Sequence, residues 1–415
     1  MTSFTSSPCE ATRATVVVGF AEALSAPEVV WSLVDSGFDV IAFARKGRLS
    51  PLRYSRHVAC HEICAPESDL QAAISDLQTL LVSLSRAGDG RNRILLPIDD
   101  KAVYLCSKVQ LDSSWRLAGP IGDSADVALN KNLQVEAALN AGFAVPKTLF
   151  VKSADDIFNS GFDLPFPLIL KPAQCVPTYQ GRLYKCRHWV CANQDELKSA
   201  VAQWSERVPL IIQPFIAGSG EGVFGLVASD GIRAWSAHRR LRMMNPQGSG
   251  ASACISQPVP ADIKPKIQAL LHAIKWRGLF MIELLRDRSG NLWFVELNGR
   301  SWGSMALSRR QGLEYPAWQV RLAIDQQSQI GKMSPSLRTG LICRNVGREL
   351  MHVLFVLRGA RSKALTNWPS IWRTLAEVLR IQRGDTFYNW RSDDRKVFVA
   401  DCYYTMHDNL RRTRI

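Results

Sequence analysis

The chain has 415 residues and a formal net charge of +14, with 47% apolar and 21% charged residues. That length accommodates two to four domains at about 100–200 residues each, and the composition is globular, which excludes a disordered chain, a collagen and a coiled coil. No run of about 18 apolar residues occurs, so the sequence predicts no membrane-spanning helix. The opening residues 1–15 lack the apolar core of a secretory signal, and ten scattered cysteines in so long a chain read as reduced thiols of a cytoplasmic protein.

Residues 1–125 alternate strand-like and helical runs. Thr15–Phe20 (TVVVGF) reads as a buried strand, Ala21–Ser36 as a helix stopped by Gly37, and Phe38–Ala44 as a second strand. The amphipathic run Leu70–Ser85 is followed by another strand, Ile94–Pro97. This order predicts a small open parallel α/β domain. Gly19 alone is no nucleotide fingerprint, because no G-x-G-x-x-G follows it.

A second region, 126–330, starts with a helix over Asn130–Ala141, broken by the run from Gly142 to Pro146. Leu168–Leu170 leads as a strand into Lys171 and Pro172. Leu210–Phe215, Gly222–Val227 and Ile232–His238 read as an antiparallel meander around a Gly-rich turn, and Ala261–Trp276 as a helix. From Gly331 onward the chain is Arg-rich and mostly helical in period. Residues 331–415 carry 16 Lys+Arg against 7 Asp+Glu, so most of the net charge lies there. Arg344, Arg348, Arg358, Arg361, Arg373, Arg380 and Arg383 are interleaved with Val353–Leu357, Trp368, Trp372 and Trp390. Such an amphipathic pattern predicts docking on the rest of the protein, with subunit pairing, nucleic acid or an anionic membrane as the alternatives.

The stretch Leu279–Arg300 (LFMIELLRDRSGNLWFVELNGR) is a hairpin signal centred on Ser289 and Gly290. Pairing about that centre sets Glu283 opposite Glu296, with Asn298 on the face of Glu296. Opposed side chains stand about 4.5–5.5 Å apart at Cβ, where like charges repel. Two carboxylates and an amide oxygen in apolar surroundings therefore call for a cation, and all-oxygen ligands suit Mg²⁺. The competing reading is a solvated acidic face paired with Arg286 or Arg288, and one bulged residue would separate the carboxylates.

E-x12-E-x-N-x-R after a Gly-preceded strand resembles the metal-binding end of ATP-grasp ligases. The upstream pattern agrees in order: Asn130-Lys131 opening a helix that ends in A-G-F-A-V-P, the strand Phe166–Lys171, and the hinge-like Leu210–Ile216. The resemblance covers residues 15–320. It implies an α/β and α+β protein: an N-terminal open parallel domain (1–125), a two-lobed ATP-grasp domain (126–330, lobes about 126–208 and 209–330) and a basic, mostly helical C-terminal extension (331–415). It further implies Lys131 and Lys171 on the nucleotide phosphates, Gln213, Phe215 and Ile216 at the adenine, and Glu283, Glu296 and Asn298 on Mg²⁺, with Mn²⁺ as a substitute. Glu221 is a guess for the ribose. The implied reaction is ADP-forming ligation of a small-molecule carboxylate and an amine through an acyl phosphate, steadied by Arg300. A G-x-G-x-G-x-F…R-x-R…P-x-G-x-G-A-S pattern, from Gly218 to Ser252, resembles a branch often likened to the carbamoyl-phosphate synthase large chain. It places Arg240 and Arg242, two apart and on one face of a strand, on an anionic substrate group beneath a Gly248–Gly250 loop. The segment after Lys171 departs from the family in having one glycine, Gly181, where relatives have a Gly-rich lid; Thr178, Gln180 and Lys185 take its place. The alternatives are carbamoyl-phosphate-like or carboxylation chemistry, and a non-catalytic binding protein acting through the basic C-terminal part. A homodimer remains open.

Two denser clusters carry less. His57, Cys60, His61 and Cys64 have metal-like spacing, but along a strand the histidines and cysteines face opposite ways. Cys175, Cys186 and Cys191 flank the lid segment, with His188 as the one nearby base for a reactive thiol.

Overall fold

The structure, a computed structural model, describes residues 14–85, 92–159, 164–331, 337–360 and 368–413. Most of the opening stretch and Arg361 lie outside these residues. The first sheet is built from β1 (Thr15–Gly19), β2 (Asp39–Arg45), β3 (Ala59–Ile63), β4 (Arg93–Pro97) and β5 (Trp115–Leu117), all parallel in the order β3-β2-β1-β4-β5. The central strand β1 is almost wholly apolar because both faces are covered. α1 (Ala26–Asp35) packs on one side, with Trp31 buried in that core, and α2 (Leu70–Ser85) on the other. The helix read over Ala21–Ser36 begins late because Pro27 occupies its first turn.

Strand order reverses between β1 and β4, the place where an open parallel sheet leaves a crevice at the carboxyl ends of its strands. α3 (Asp100–Cys106) starts at that edge, capped by Asp99, whose carboxylate accepts from the Ala102 N–H at 2.7 Å. α4 (Asp123–Leu129) and α5 (Lys131–Asn140) then lead away from the first sheet.

The second sheet is antiparallel, in the order β10-β7-β11-β6: β6 (Leu149–Val151), β7 (Leu168–Pro172), β10 (Trp189–Cys191) and β11 (Leu210–Pro214). α6 (Asp155–Phe158) and α7 (Gln194–Trp204) complete this lobe, whose core centres on Leu170, Trp204 and Ile212. The lid segment folds as a small hairpin, β8 (Thr178–Tyr179) and β9 (Arg182–Leu183). Gln180 and Gly181 at its tip have φ of 48° and 72°, which makes a tight two-residue turn. The hairpin sits on the N-terminal domain: Leu70 N–H donates to Gly181 O at 3.0 Å, and Leu183 N–H to Pro66 O at 2.8 Å.

The third sheet has seven strands in the order β16-β15-β12-β13-β14-β17-β18: β12 (Gly218–Ala228), β13 (Gly231–Met243), β14 (Ala251–Gln257), β15 (Gly278–Asp287), β16 (Leu292–Asn298), β17 (Ile342–Arg344) and β18 (Thr386–Phe387). α8 (Ile263–Ala273) covers its apolar face through Ile267, Leu270 and Leu271; α9 (Met305–Arg310) and α10 (Tyr315–Ala323) join it to the first sheet. The expected meander is corrected here. β11 belongs to the second sheet, and the segment after it crosses to the third, so only β12 and β13 form a hairpin.

Two strands of the 331–415 stretch join this sheet, and α11 (Val346–Arg358), α12 (Ile371–Leu379) and α13 (Arg395–Thr413) surround them. Trp31 Nε1 donates to Asp394 Oδ2 at 3.0 Å, and the Tyr54 and Tyr404 hydroxyls lie 2.9 Å apart, so this stretch also grips the N-terminal domain. On α12, Trp372 and Leu379 are 79% and 75% exposed. Among the described residues no helix is long and apolar enough to cross a membrane.

Candidate active site

The site forms where the three sheets meet, and helix caps place much of it. Asn130 caps α5 by accepting from the N–H groups of Asn132 (3.0 Å) and Leu133, which fixes Lys131 at the first helical position. One turn later Gln134, 1% exposed, clamps strand β16: its amide donates to Leu297 O at 2.9 Å and accepts from Leu297 N–H at 3.0 Å. The clamp sets Lys131 against the adjacent strand residue, and Lys131 Nζ donates to Glu296 Oε2 at 3.1 Å.

Glu283 and Glu296 stand directly opposite each other, as expected, though by a different route. The turn is centred one half-step earlier, around Ser289, with the Asp287 carboxylate accepting from the Ser289 and Asn291 N–H groups. Arg286 therefore faces Leu292 and Leu284 faces Phe294. Val295 is then bulged out, and the register shifts so that Glu296 meets Glu283. The bulge joins the two carboxylates where it was expected to part them.

Asn298 Nδ2 donates to Glu296 Oε1 at 3.1 Å, leaving its carbonyl oxygen as a further donor atom. Arg240 Nη2 lies 2.7 Å from Glu283 Oε1. Arg240 reaches Glu283 over Gly220, where a Cβ would come within 2.7 Å of the Arg240 side chain. Among the described residues no three His, Cys, Asp or Glu side chains gather closely enough to hold a metal by themselves. The two opposed carboxylates and an amide oxygen do fit a hard cation completed by phosphate oxygens and water.

Burial would raise the Glu296 carboxyl, but Lys131, the Asn298 amide and Arg300 outweigh it and hold the group well below the usual carboxylate range. Burial likewise opposes the Lys131 ammonium, and Glu296 overcomes it. Lys171, on the face of β7 turned to the same site, lacks such a partner. Burial, then the charge of Lys131, lower it from 10.5 to about 8. His188 is lowered to about 4 by burial and by the same two lysines, and burial raises the Cys175 thiol to about 11. A thiol held neutral is a poor nucleophile, and Cys175 instead accepts from Lys131 Nζ at 3.4 Å.

Arg300 turns toward the N-terminal domain. Its Nε and Nη2 grip Asp100 Oδ1 and Oδ2 at 3.0 and 2.9 Å, and Asp100 outweighs the burial that would otherwise weaken the guanidinium. The shared face expected for Arg240 and Arg242 is corrected. Leu241 is bulged: Arg240 pairs with Cys254 but Arg242 with Ala253, and adjacent residues of β14 face opposite ways. On the far face Arg242 forms a fork with Glu349 at 2.8 and 2.9 Å, and Glu349 also holds Arg344. Glu221, adjacent to the glycine that faces Glu283, likewise points to the opposite face, where Arg286 and Gln257 engage its carboxylate. Gln213 is buried, with Nε2 donating to Thr148 Oγ1 at 2.8 Å; the Phe215 N–H donates to Pro167 O at 2.7 Å, and Ile216 lies in the link between the second and third sheets.

Gln134 and Asp100 escaped the sequence reading. Asp100 had a signal, an acidic pair directly after a parallel strand; Gln134 had none beyond its helical spacing from Lys131. Asp99 belongs to a second network at the same crevice, where Arg45 lies 3.5 Å from Glu22, 3.2 Å from Glu67 and 3.6 Å from Asp99. His57 lies 3.1 Å from Asp393, and the cysteines among the described residues are unpaired.

No protein-family model matches the sequence, and no curated protein matches it. Solved structures do. An N5-carboxyaminoimidazole ribonucleotide synthetase in complex with ADP superposes with a TM-score of 0.61 at 13% identity, covering 88% of this chain and 96% of that one. An L-amino acid ligase from Bacillus licheniformis gives 0.54 at 15% identity, covering 77% of each chain. The biotin carboxylase domain dimer of a Hydrogenobacter thermophilus 2-oxoglutarate carboxylase, with MgADP, ADP and bicarbonate, gives 0.56 at 15%, covering 79% of this chain and 73% of that one.

Proposed function

Since the fold of this chain is the ATP-grasp fold, we propose that the protein is an ATP-dependent ligase joining a carboxylate to an amine. The observation that carries this reading is the convergence of Lys131 and Lys171 on the opposed carboxylates of Glu283 and Glu296. Two ammonium groups suit a polyphosphate, and two carboxylates with Asn298 suit the metal that accompanies it. Glu283, Glu296 and Asn298 would hold Mg²⁺, which would supply neutralisation of the charge on the transferred group.

In the reaction, a carboxylate oxygen of the acid attacks the γ-phosphorus. The bond from that phosphorus to the ADP oxygen breaks, giving an acyl phosphate. The amine nitrogen then attacks the acyl carbon, the carbon–oxygen bond to phosphate breaks, and the amine gives up a proton as the amide forms. Lys131 and Lys171 orient the phosphates. Arg300, held rigid by Asp100, stabilises the acyl phosphate and the oxyanion that follows. The lid hairpin, already seated on the N-terminal domain, excludes water from the acyl phosphate.

The test is ADP and phosphate release from Mg·ATP in the presence of pooled amino acids and small acids. Release that depends on both an acid and an amine, and is lost in Glu296→Ala, supports the reading. Turnover unchanged in Glu296→Ala refutes it, and release that requires bicarbonate alone points to carboxylation.

A further inference from the structure

Cations near the site are matched almost one for one. Lys131 has Glu296, Arg240 has Glu283, Arg300 has Asp100, Arg242 and Arg344 share Glu349, and Arg45 has Glu22, Glu67 and Asp99. Burial opposes the charge on several of these cations, and at Lys171 and Arg348 the neighbouring acidic groups do not restore the hold on the proton. An uncompensated charge taken out of water costs free energy, so a cation kept in that condition is retained for an anion that arrives later. Lys171 is accounted for by the nucleotide phosphates.

Arg348 lies in the first turn of α11, and its backbone N–H donates at 2.9 Å to Asn345, the cap of that helix. The side chain extends to the β13–β14 turn, where Nη1 donates to Ala251 O at 3.2 Å. Gly250 makes room for it: a Cβ there would lie 2.6 Å from Nη1. Nε is shielded from water and has no hydrogen-bond partner, and the neighbouring charge that favours the guanidinium most is Asp401. Its electrostatic neighbours include Asp401, Tyr388, Cys254 and Arg240. The Asp401 carboxylate already accepts from Asn345 Nδ2 at 3.0 Å. Cys254 pairs with Arg240, on the face that carries Glu283. His238, 4% exposed, adds a buried Nε2 without a partner on that same face.

We propose that Arg348, reaching across Gly250, receives a substrate carboxylate other than the one that is activated, so that the amine component is an amino acid or a peptide with a free carboxylate. The inference rests on the ligase reading above and narrows it to one substrate class. A guanidinium fork matches a carboxylate in geometry and charge, and its pairing removes the cost of the buried cation.

The test is thermal shift and calorimetry on the full chain with a non-hydrolysable ATP analogue and Mg²⁺, titrated separately with each common amino acid, acetate and inorganic phosphate. At least one amino acid should raise the melting temperature of the wild type. Arg348→Gln should weaken that amino acid at least about tenfold, leave the affinity for the ATP analogue within about twofold, and melt no lower than wild type without ligand. Arg348→Lys should retain part of the affinity, having the charge without the fork. Stabilisation of the wild type by phosphate alone, or by no carboxylate while the analogue still binds, overturns the proposal. So does an Arg348→Gln protein that melts lower yet binds the amino acid as wild type does, which marks a structural arginine. Failure of the analogue itself to bind refutes the ligase reading instead.

Discussion

Glu283 and Glu296 face each other because Val295 is bulged out of register. The like charges this brings together are held apart in partnership, Glu283 by Arg240 and Glu296 by Lys131. Cation binding must loosen those partnerships, so both carboxylates act on metal affinity more than on folding. Glu283→Gln and Glu296→Gln should each raise the Mg²⁺ concentration needed for half-maximal ADP release by about 10–100-fold. A Mg²⁺ titration at fixed ATP checks this.

Lys171 gives the site its pH dependence. Its ammonium is lowered to about 8, so it loses its charge as pH rises through that value, whereas the unfolded side chain keeps its charge to 10.5. The depressed value weakens the fold below about pH 8, and that penalty disappears as pH climbs toward 10.5. Bound phosphates favour the charged form, so nucleotide affinity should fall, by at most about tenfold per pH unit, above pH 8. Isothermal titration with Mg·ADP from pH 7 to 9.5 should show that fall in the wild type and a flatter profile in Lys171→Gln.

Asp100 should matter for turnover without touching nucleotide. Asp100→Asn leaves the Arg300 guanidinium with half of its fork, and a hydrogen bond to a charged group contributes about 1.5–3 kcal/mol. ADP release should slow while the dissociation constant for Mg·ADP stays near wild type; a matching loss in both would place Asp100 at the nucleotide.

Gln134 should be costly despite making no contact with any expected ligand. Gln134→Leu leaves the buried N–H and C=O of Leu297 unpaired, at about 1–3 kcal/mol each. Denaturant unfolding should show that loss, and a rise in the nucleotide dissociation constant should accompany it because Lys131 is no longer fixed against Glu296.

On the far face the asymmetry of one carboxylate and two guanidiniums is measurable. Glu349→Gln leaves Arg344 only Asp385, at 3.3 Å, and Arg242 only Glu377, at 3.9 Å, whereas Arg242→Met leaves Glu349 paired with Arg344. Breaking a buried pair from the side that leaves charge behind is the costlier change, by about 3–5 kcal/mol. Urea midpoints of the two variants should fall in that order.

Strand–helix alternation, the strand that ends at Lys171 and the E-x12-E hairpin were all legible in the sequence, because each rests on local periodicity or short spacing. The two bulges were not. Leu241 and Val295 look like any other strand residue, and their displacement is decided by which neighbours must reach the core: Phe294 has to stay on the apolar face while Glu296 leaves it. Partnerships such as Arg300 with Asp100 or Arg242 with Glu349 join residues about 100–200 apart, and no spacing rule spans that distance. The basic composition of the last fifth of the chain was plain, and its amphipathic pattern pointed to docking on the rest of the protein without telling which arginines turn inward. Arg344 is buried, and Arg348 is half-buried with its Nε shielded from water.

The contact of Trp31 with Asp394, reinforced by Tyr54 and Tyr404, has a consequence for the order in which the protein assembles. During synthesis the N-terminal sheet leaves the ribosome roughly half a minute before the segment that clasps it, at about 5–20 residues per second. Within that interval, from the emergence of β14 until Ile342 follows, β14 has no neighbour on its outer side, since β17 and β18 are still to come. The crevice that contains Asp100 is therefore among the earliest parts to form and the last to be locked in place, and a nascent chain stalled before Ile342 would present an open strand edge to its neighbours.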